Sequence, residues 1–272
     1  LGNNKREEMI FLKPKKSLGQ HFLKDANIAR KIAGSLTLKG YTDILEIGPG
    51  TGILTEFILK LGMRQVCLVE IDSSAVDILK RKYDSQNSKI IHGDFLKMDL
   101  GSLFPGKFAI IGNLPYNVSS QIFFKIIEHK DKVSEVVCMV QKEVGERIGA
   151  APGNRDYGIL SVLLQAYFNI EYLFTVNETV FVPRPKVKSS VLRLSRNERR
   201  ELACDEELFK RVVKTGFNQR RKILRNSLRS ILLNLEIYDE LFVMRPEQLS
   251  VDQFVEITNK IEEKSGDMLK NY

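Results

Sequence analysis

An α/β fold with a parallel sheet, followed by a smaller all-helical unit, is the architecture this sequence predicts, on three observations. Short apolar runs of strand length alternate with amphipathic stretches of helix length through the first two hundred residues, the pattern that builds βαβ units. The first such run empties into a glycine-rich turn, Gly48-Pro49-Gly50-Thr51-Gly52, which opens a helix and so marks a ligand crevice at the strand carboxyl ends. Beyond a charged linker at 196–201 the strand-like runs stop and helical patterning alone continues.

Residues 1–16 are polar and basic and read as a flexible arm. Asp25 is placed to cap a helix running to about 33. The apolar run 42–47 is a buried strand, and 53–61 repeats its apolar residues at helical spacing. A second strand at 65–70 leads through Asp72 into a helix at 73–83. A short strand at 89–92 ends in Gly93-Asp94-Phe95, and the run 108–111 delivers Asn113-Leu114-Pro115-Tyr116 before a helix at 118–128. A strand at 134–141, a helix to 148 and a breaker-rich loop at 151–158 follow. A helix at 159–167 and strands at 170–175 and 190–195 close the sheet. Helices are predicted at 206–215, 220–233 and 251–262. The expected units are thus an arm (1–16), an α/β domain (17–198) and a helical domain (199–272).

The 272 residues carry a net charge of +8 and a pI near 9.3, which points to a polyanionic partner. The distribution sharpens this: between Lys210 and Arg229 there are eight Lys or Arg and no acid. One-sided charge on that scale favours phosphate contact, against a merely solvated helix face. Cys67, Cys138 and Cys204 are far apart, and His21, His92 and His129 do not cluster. A reducing, cytoplasmic setting with no disulfide framework and no metal site is expected. No run of membrane-spanning length or signal-peptide core occurs, so no membrane partner is expected.

The turn spacing is Gly-x-Gly-x-Gly rather than the Gly-x-Gly-x-x-Gly of pyrophosphate binders. Glu46, just ahead of it, is expected to repel a pyrophosphate and tolerate a cationic adenosine ligand, which favours S-adenosylmethionine over NAD and disfavours a dehydrogenase. Glu70, at the end of the second strand, is placed to take both ribose hydroxyls, with Asp72 as the helix cap. Asp94 can accept from an adenine amino group with Phe95 alongside, although Gly-Asp also reads as a plain turn. The Asn113 side-chain oxygen and the Leu114 carbonyl offer two acceptors for one exocyclic amine, Pro115 stiffens the turn, and the Tyr116 ring offers a stacking face; taken alone, the tetrapeptide reads equally as an Asx-Pro turn with a core tyrosine. Phe181 and the cations Arg184, Lys186 and Lys188 sit on a proline-extended segment that can follow a nucleic-acid backbone while Phe181 stacks on a base; the alternative is a semi-rigid loop between strands.

Taken in order, these motifs resemble the ribosomal RNA adenine dimethyltransferase family over roughly residues 13–262. The anchors are Lys-Ser-Leu-Gly-Gln-His-Phe-Leu (16–23), Glu-Ile-Gly-Pro-Gly-Thr-Gly (46–52), Glu-Ile-Asp (70–72), Gly-Asp-Phe (93–95), Asn-Leu-Pro-Tyr-Asn-Val-Ser-Ser (113–120) and Val-Pro-Arg-Pro-Lys-Val (182–187). The resemblance implies a Rossmann-like methyltransferase domain with a smaller helical C-terminal domain. It also implies an S-adenosylmethionine site from His21, Leu23, Gly48, Glu70, Asp94 and Asn113, with Gly50, Ile71 and Phe95 in the same motifs. Many relatives carry Asn at the place of His21, which puts the geometry of that contact in question. The implied reaction is transfer of two methyls to N6 of each of two adjacent adenosines in the 3′-terminal hairpin loop of 16S rRNA, within the assembling 30S subunit, by a monomer. The target base is expected to lie flipped between Tyr116 and Phe181, with Arg220, Arg221 and Lys222 on RNA phosphates. Alternatives are a 23S rRNA adenine-N6 methyltransferase of the macrolide-resistance type, or an assembly factor that keeps the fold.

Overall fold

A computed structural model describes residues 12–270 apart from 86, 233, 234 and 236. Its strands are β1 (Phe22–Leu23), β2 (Asp43–Ile47), β3 (Gln65–Glu70), β4 (Ser88–His92), β5 (Phe108–Asn113), β6 (Val133–Gln141), β7 (Phe168–Val176), β8 (Phe181–Val182) and β9 (Ser189–Arg196). The helices are α1 (Ala26–Ala33), α2 (Ile53–Leu59), α3 (Ser73–Tyr83), α4 (Leu100–Leu103), α5 (Ser119–Glu128), α6 (Lys142–Ile148), α7 (Ile159–Gln165), α8 (Glu206–Asn218), α9 (Leu224–Ser227), α10 (Arg229–Leu232) and α11 (Val251–Lys270).

Seven strands form one sheet in the order β4-β3-β2-β5-β6-β9-β7. The first five are mutually parallel, and β9 runs antiparallel between β6 and β7. Progression along the sheet reverses between β2 and β5, so their carboxyl ends flank the crevice where open α/β sheets bind ligands. The central strands read as continuous apolar runs because both faces are covered. Ile44, Leu68, Ala109 and Ile111 join one apolar cluster with Ala29 and Ile32 of α1 and Ile58 of α2. The alternate residues Leu45, Cys67, Val69 and Ile110 join the other with Phe123 and Ile126 of α5. Cys67 and Cys138 lie inside this packing; burial pushes their thiols up to about 11 and about 12, which keeps them protonated packing groups.

Behind the sheet, Phe209 and Val212 of α8 and Phe254 and Ile257 of α11 belong to the same cluster as α5 and α7. The helical segment therefore shares one continuous apolar core with the α/β part. No helix among the described residues is long and apolar enough to cross a membrane.

Two expectations need correction. The helix expected at 220–233 is broken: Gln219 to Lys222 form turns, Ile223 is extended, and only α9 and α10 are helical, Leu233 lying outside the described residues. Tertiary contacts override the helical pattern here, because the Leu224 N–H donates to the Met244 carbonyl rather than back along a helix. Of the flexible arm, residues 1–11 lie outside the described residues, but its end is held. Lys15 Nζ donates to Asp72 Oδ1 at 2.7 Å, and Lys16–Leu18 form a 3-10 turn.

Candidate active site

A cavity of about 240 Å³ opens at the carboxyl ends of β2, β3 and β5. Its walls come from five stretches, 17–22 of the N-terminal segment, 47–50 at the end of β2, 69–71 at the end of β3, 93–96 after β4 and 113–118 at the end of β5, together with Ile122 of α5. Motifs up to 100 positions apart in the chain are thereby brought to one place.

At the β2 end, Gly48 adopts φ +63°, and a Cβ there would meet nothing within 4 Å. Its backbone thus faces open space in a left-handed conformation that L side chains rarely adopt. Glu70 is 3% exposed yet lines the cavity. Its Oε2 accepts the Gly50 N–H and its Oε1 the Asp72 N–H, both at 2.9 Å. The carboxylate therefore braces the glycine turn as well as facing the cavity. Burial pushes its pKa above the usual carboxylate range, against the pull of those backbone donors.

Asp72 caps α3 through the Ser74 N–H, as expected, and also receives Lys15 and Gln20. Burial alone would raise its pKa, but these donors outweigh it and hold the carboxyl below its ordinary value. Asp94 satisfies both readings of Gly-Asp: its Oδ1 accepts the Leu96 N–H at 3.0 Å to start the 3-10 turn Phe95–Lys97, and the residue lines the cavity. Ile71, 46% exposed, and Phe95, 5% exposed, complete that wall.

Glu46 is corrected. It is fully buried under α2 and takes no part in the cavity wall; Thr55 Oγ1 donates to its Oε2 at 2.7 Å. Burial drives its pKa up to about 8, with the Thr55 hydrogen bond opposing and the Glu70 charge adding. Of the two glutamates, Glu70 is the one that lines the cavity.

At the β5 end, Asn113 Nδ2 donates to the His21 carbonyl at 2.8 Å, while Asn113 Oδ1 is buried without a hydrogen-bond partner. One side of the amide is locked and the other left as a free acceptor at the cavity. The Leu114 N–H is tied to the Met139 carbonyl at 3.0 Å, which turns the chain out of the sheet, and no backbone N–H among the described residues donates to the Leu114 carbonyl. Pro115 and Tyr116 follow along the wall. The Tyr116 ring stacks on His21 at 5.4 Å between centroids, and its hydroxyl lies 2.6 Å from Ser189 Oγ. His21 Nδ1 contacts the Pro183 carbonyl at 2.7 Å. The imidazole is thus engaged with Tyr116 and Pro183, while the His21 backbone serves Asn113.

Leu23 and Phe181 have side chains turned away from the cavity. They pair across β1 and β8 and lie 6% and 2% exposed in the apolar cluster, outside the cavity wall. Alternation along a strand explains both: Phe22 turns to the cavity where Leu23 turns inward, and Val182 turns out where Phe181 turns inward. Phe181 is not the exposed stacking face the sequence suggested. Gly112 is a contributor that no motif flagged; a Cβ there would sit 2.6 Å from the Ile47 carbonyl. An isolated glycine inside a strand is the available signal for such close approach.

The expected RNA-contacting cations divide. Arg184, Lys186 and Lys188 are exposed on the segment after β8, with Arg184 paired to Glu178. Arg221 and Lys222 are exposed, whereas Arg220 Nη2 donates to the Asn154 carbonyl at 3.2 Å and its Nε lies 3.7 Å from Glu247.

The sequence pattern of the family described as ribosomal RNA adenine dimethylase matches residues 11–263. A ribosomal RNA small subunit methyltransferase A from Parabacteroides distasonis is 54% identical, with 96% of this chain and 100% of the relative covered. Its counterpart from Bacteroides thetaiotaomicron is 55% identical, with 94% and 96% covered. A dimethyladenosine transferase from Plasmodium falciparum superposes with a TM-score of 0.76 at 25% identity, covering 90% of this chain and 98% of its own. A 23S rRNA methyltransferase, ErmE, superposes with a TM-score of 0.65 at 26% identity, covering 88% and 99%. A cavity walled by the glycine turn, the strand-end acid and the Asn-Leu-Pro-Tyr loop, in a chain matched almost end to end, places this protein in the ribosomal RNA adenine dimethylase family of S-adenosylmethionine-dependent methyltransferases.

Proposed function

We propose that this chain transfers methyl groups from S-adenosylmethionine to N6 of two adjacent adenosines in the 3′-terminal hairpin loop of 16S rRNA, leaving N6,N6-dimethyladenosine. It acts on the assembling small subunit, as a monomer. The observation that carries the reading is Asn113 Oδ1: a buried acceptor with no partner, on an amide locked in place by the His21 carbonyl. An exocyclic amine is the donor that satisfies it. The names of the relatives at 54 and 55% identity support the small-subunit substrate, against 26% for the 23S enzyme.

The residues present suit the cofactor. Gly48 leaves room for backbone approach, and Glu70 presents carboxylate lone pairs toward hydroxyl donors. Asp94, Ile71 and Phe95 make a half-apolar slot for an adenine. When bound, S-adenosylmethionine supplies a methyl on a sulfonium, already a good leaving group. The protein's work is then positioning. Asn113 Oδ1 and the Leu114 carbonyl each take one N–H of the target amine, which draws its lone pair out of conjugation. Tyr116 holds the plane of the base, and the exposed cations Lys186 and Lys188 take backbone phosphates.

The test is methyl transfer from labelled cofactor to small subunits lacking the modification, with large subunits in parallel and the product nucleoside identified by mass. Dimethyladenosine on the small subunit alone is expected. Label on the large subunit moves the assignment to the 23S activity. Asn113→Ala is expected to lower transfer by roughly two to three orders of magnitude while calorimetric cofactor affinity changes little. Near-normal transfer by this variant would overturn the role of Asn113.

A further inference from the structure

We propose that Ser189 is a positioning residue that, acting through Tyr116, sets the target adenine for the second methyl transfer; the inference rests on the function proposed above. Ser189 is fully buried at the start of β9, opposite Gln141 in the antiparallel register with β6. It therefore sits inside the sheet, paired on both sides, at the end where Asn113 leaves β5. Its Oγ lies 2.6 Å from the Tyr116 hydroxyl, and Ser189 itself is outside the cavity wall. His21 stacks on the same ring and is tied through Nδ1 to the Pro183 carbonyl. The Tyr116 ring is thus held at its backbone, at one face and at its hydroxyl. That hydroxyl is committed to anchoring rather than to substrate.

Why this brace bears on the second transfer follows from counting donors. An unmethylated adenine offers two N–H groups, one for Asn113 Oδ1 and one for the Leu114 carbonyl. In each transfer the N6 lone pair forms the new N–C bond as the C–S bond breaks. The bonding pair returns to sulfur, and one N6 proton passes to water. The product of the first transfer has a single N–H, so one of the two acceptors loses its partner. The placement of the base then falls more heavily on stacking, and stacking is only as defined as the ring is fixed.

The experiment is a time course on unmethylated small subunits, with N6-methyladenosine and N6,N6-dimethyladenosine quantified by mass for wild type, Ser189→Ala, Tyr116→Phe and the double variant. Loss of this one hydrogen bond is expected to leave the first rate of Ser189→Ala within about twofold and slow its second roughly five- to tenfold. Monomethyl product then accumulates. Tyr116→Phe, which removes the same bond from its other end, should raise the monomethyl fraction too, and the double variant should be no worse than the more affected single. Equal slowing of both steps, an unchanged product ratio, or additive losses in the double variant each overturn the proposal. Wild type that makes no dimethyladenosine on small subunits overturns the function reading instead, and this inference with it.

Discussion

Two acids near the ends of neighbouring strands have opposite fates although they share a face of the sheet, and the difference is one of position along the strand. Glu46 and Glu70 are both nearly inaccessible, but Glu70 meets backbone N–H groups at the cavity while Glu46 meets only the Thr55 hydroxyl in the packed interior. With its pKa at about 8 against an ordinary 4.5, Glu46 stays protonated at neutral pH in the folded chain. The folded-state value is raised, so the stabilisation this group gives is complete below about pH 4.5 and is lost as pH rises through about 8. Glu46→Gln keeps an acceptor for Thr55 and cannot ionise. Melting temperatures measured from pH 5 to 8.5 should fall with rising pH more steeply in the wild type than in Glu46→Gln. Parallel profiles would mean that the buried carboxyl does not hold its proton. The motif places Glu46 beside the glycine turn; its burial under α2, and hence its charge state, depends on a tertiary contact that no local pattern encodes.

At the scale of elements, most of the scaffold was legible because period-2 and period-3.6 patterns are enforced by burial. β3 at Gln65–Glu70 and α3 at Ser73–Tyr83 coincide with the strand and helix predicted from the pattern. Contacts between distant segments were not legible. The latch of the N-terminal segment spans 57 positions, with Lys15 Nζ and Gln20 Nε2 both on Asp72 and the Lys15 N–H on Gln20 Oε1. No local pattern encodes that closure, so the sequence around Lys15 reads as a loose arm. The same blindness misplaced Phe181, whose burial depends on pairing β8 with β1. Because residues 17–22 wall the cavity, releasing the latch should loosen the cofactor. Lys15 is half exposed although Asp72 is buried, so solvent screening discounts the ion pair to roughly 1 kcal/mol. Lys15→Ala is therefore expected to weaken cofactor binding by up to about fivefold, chiefly through faster dissociation, and to do so increasingly at low ionic strength. Asp72 retains Gln20 and the Ser74 N–H, so α3 keeps its cap and the melting temperature should barely move. An unchanged dissociation rate in stopped-flow displacement would remove the latch from cofactor binding.

Across the whole molecule, the excess positive charge divides into cations that hold the chain together and cations left for a partner. In the run between Lys210 and Arg229, Lys210 pairs with Glu207, Lys214 lies over the Phe124 ring, Arg220 reaches Asn154 and Glu247, and Arg225 donates to the Ile237 carbonyl. Arg221 and Lys222, in the turn between α8 and α9, are exposed and have no such partner among the described residues. The absence of acid within the run therefore overstated its availability, because the partners come from the preceding turn of α8, the 151–158 loop and the residues before α11. Neutralising Arg221 and Lys222 together should weaken binding to small subunits and flatten the log–log dependence of affinity on salt by roughly one to two, the yield of two lost phosphate contacts. Arg220→Ala should act differently. It removes a tie between the helical segment and the loop after α6, so it should lower the melting temperature while leaving the salt slope nearly unchanged. Filter binding across a salt series, run beside thermal unfolding, separates the two. If the double variant keeps the wild-type slope, the turn does not contact phosphate; if Arg220→Ala flattens the slope without loss of stability, its contacts to Asn154 and Glu247 give way to RNA in the complex.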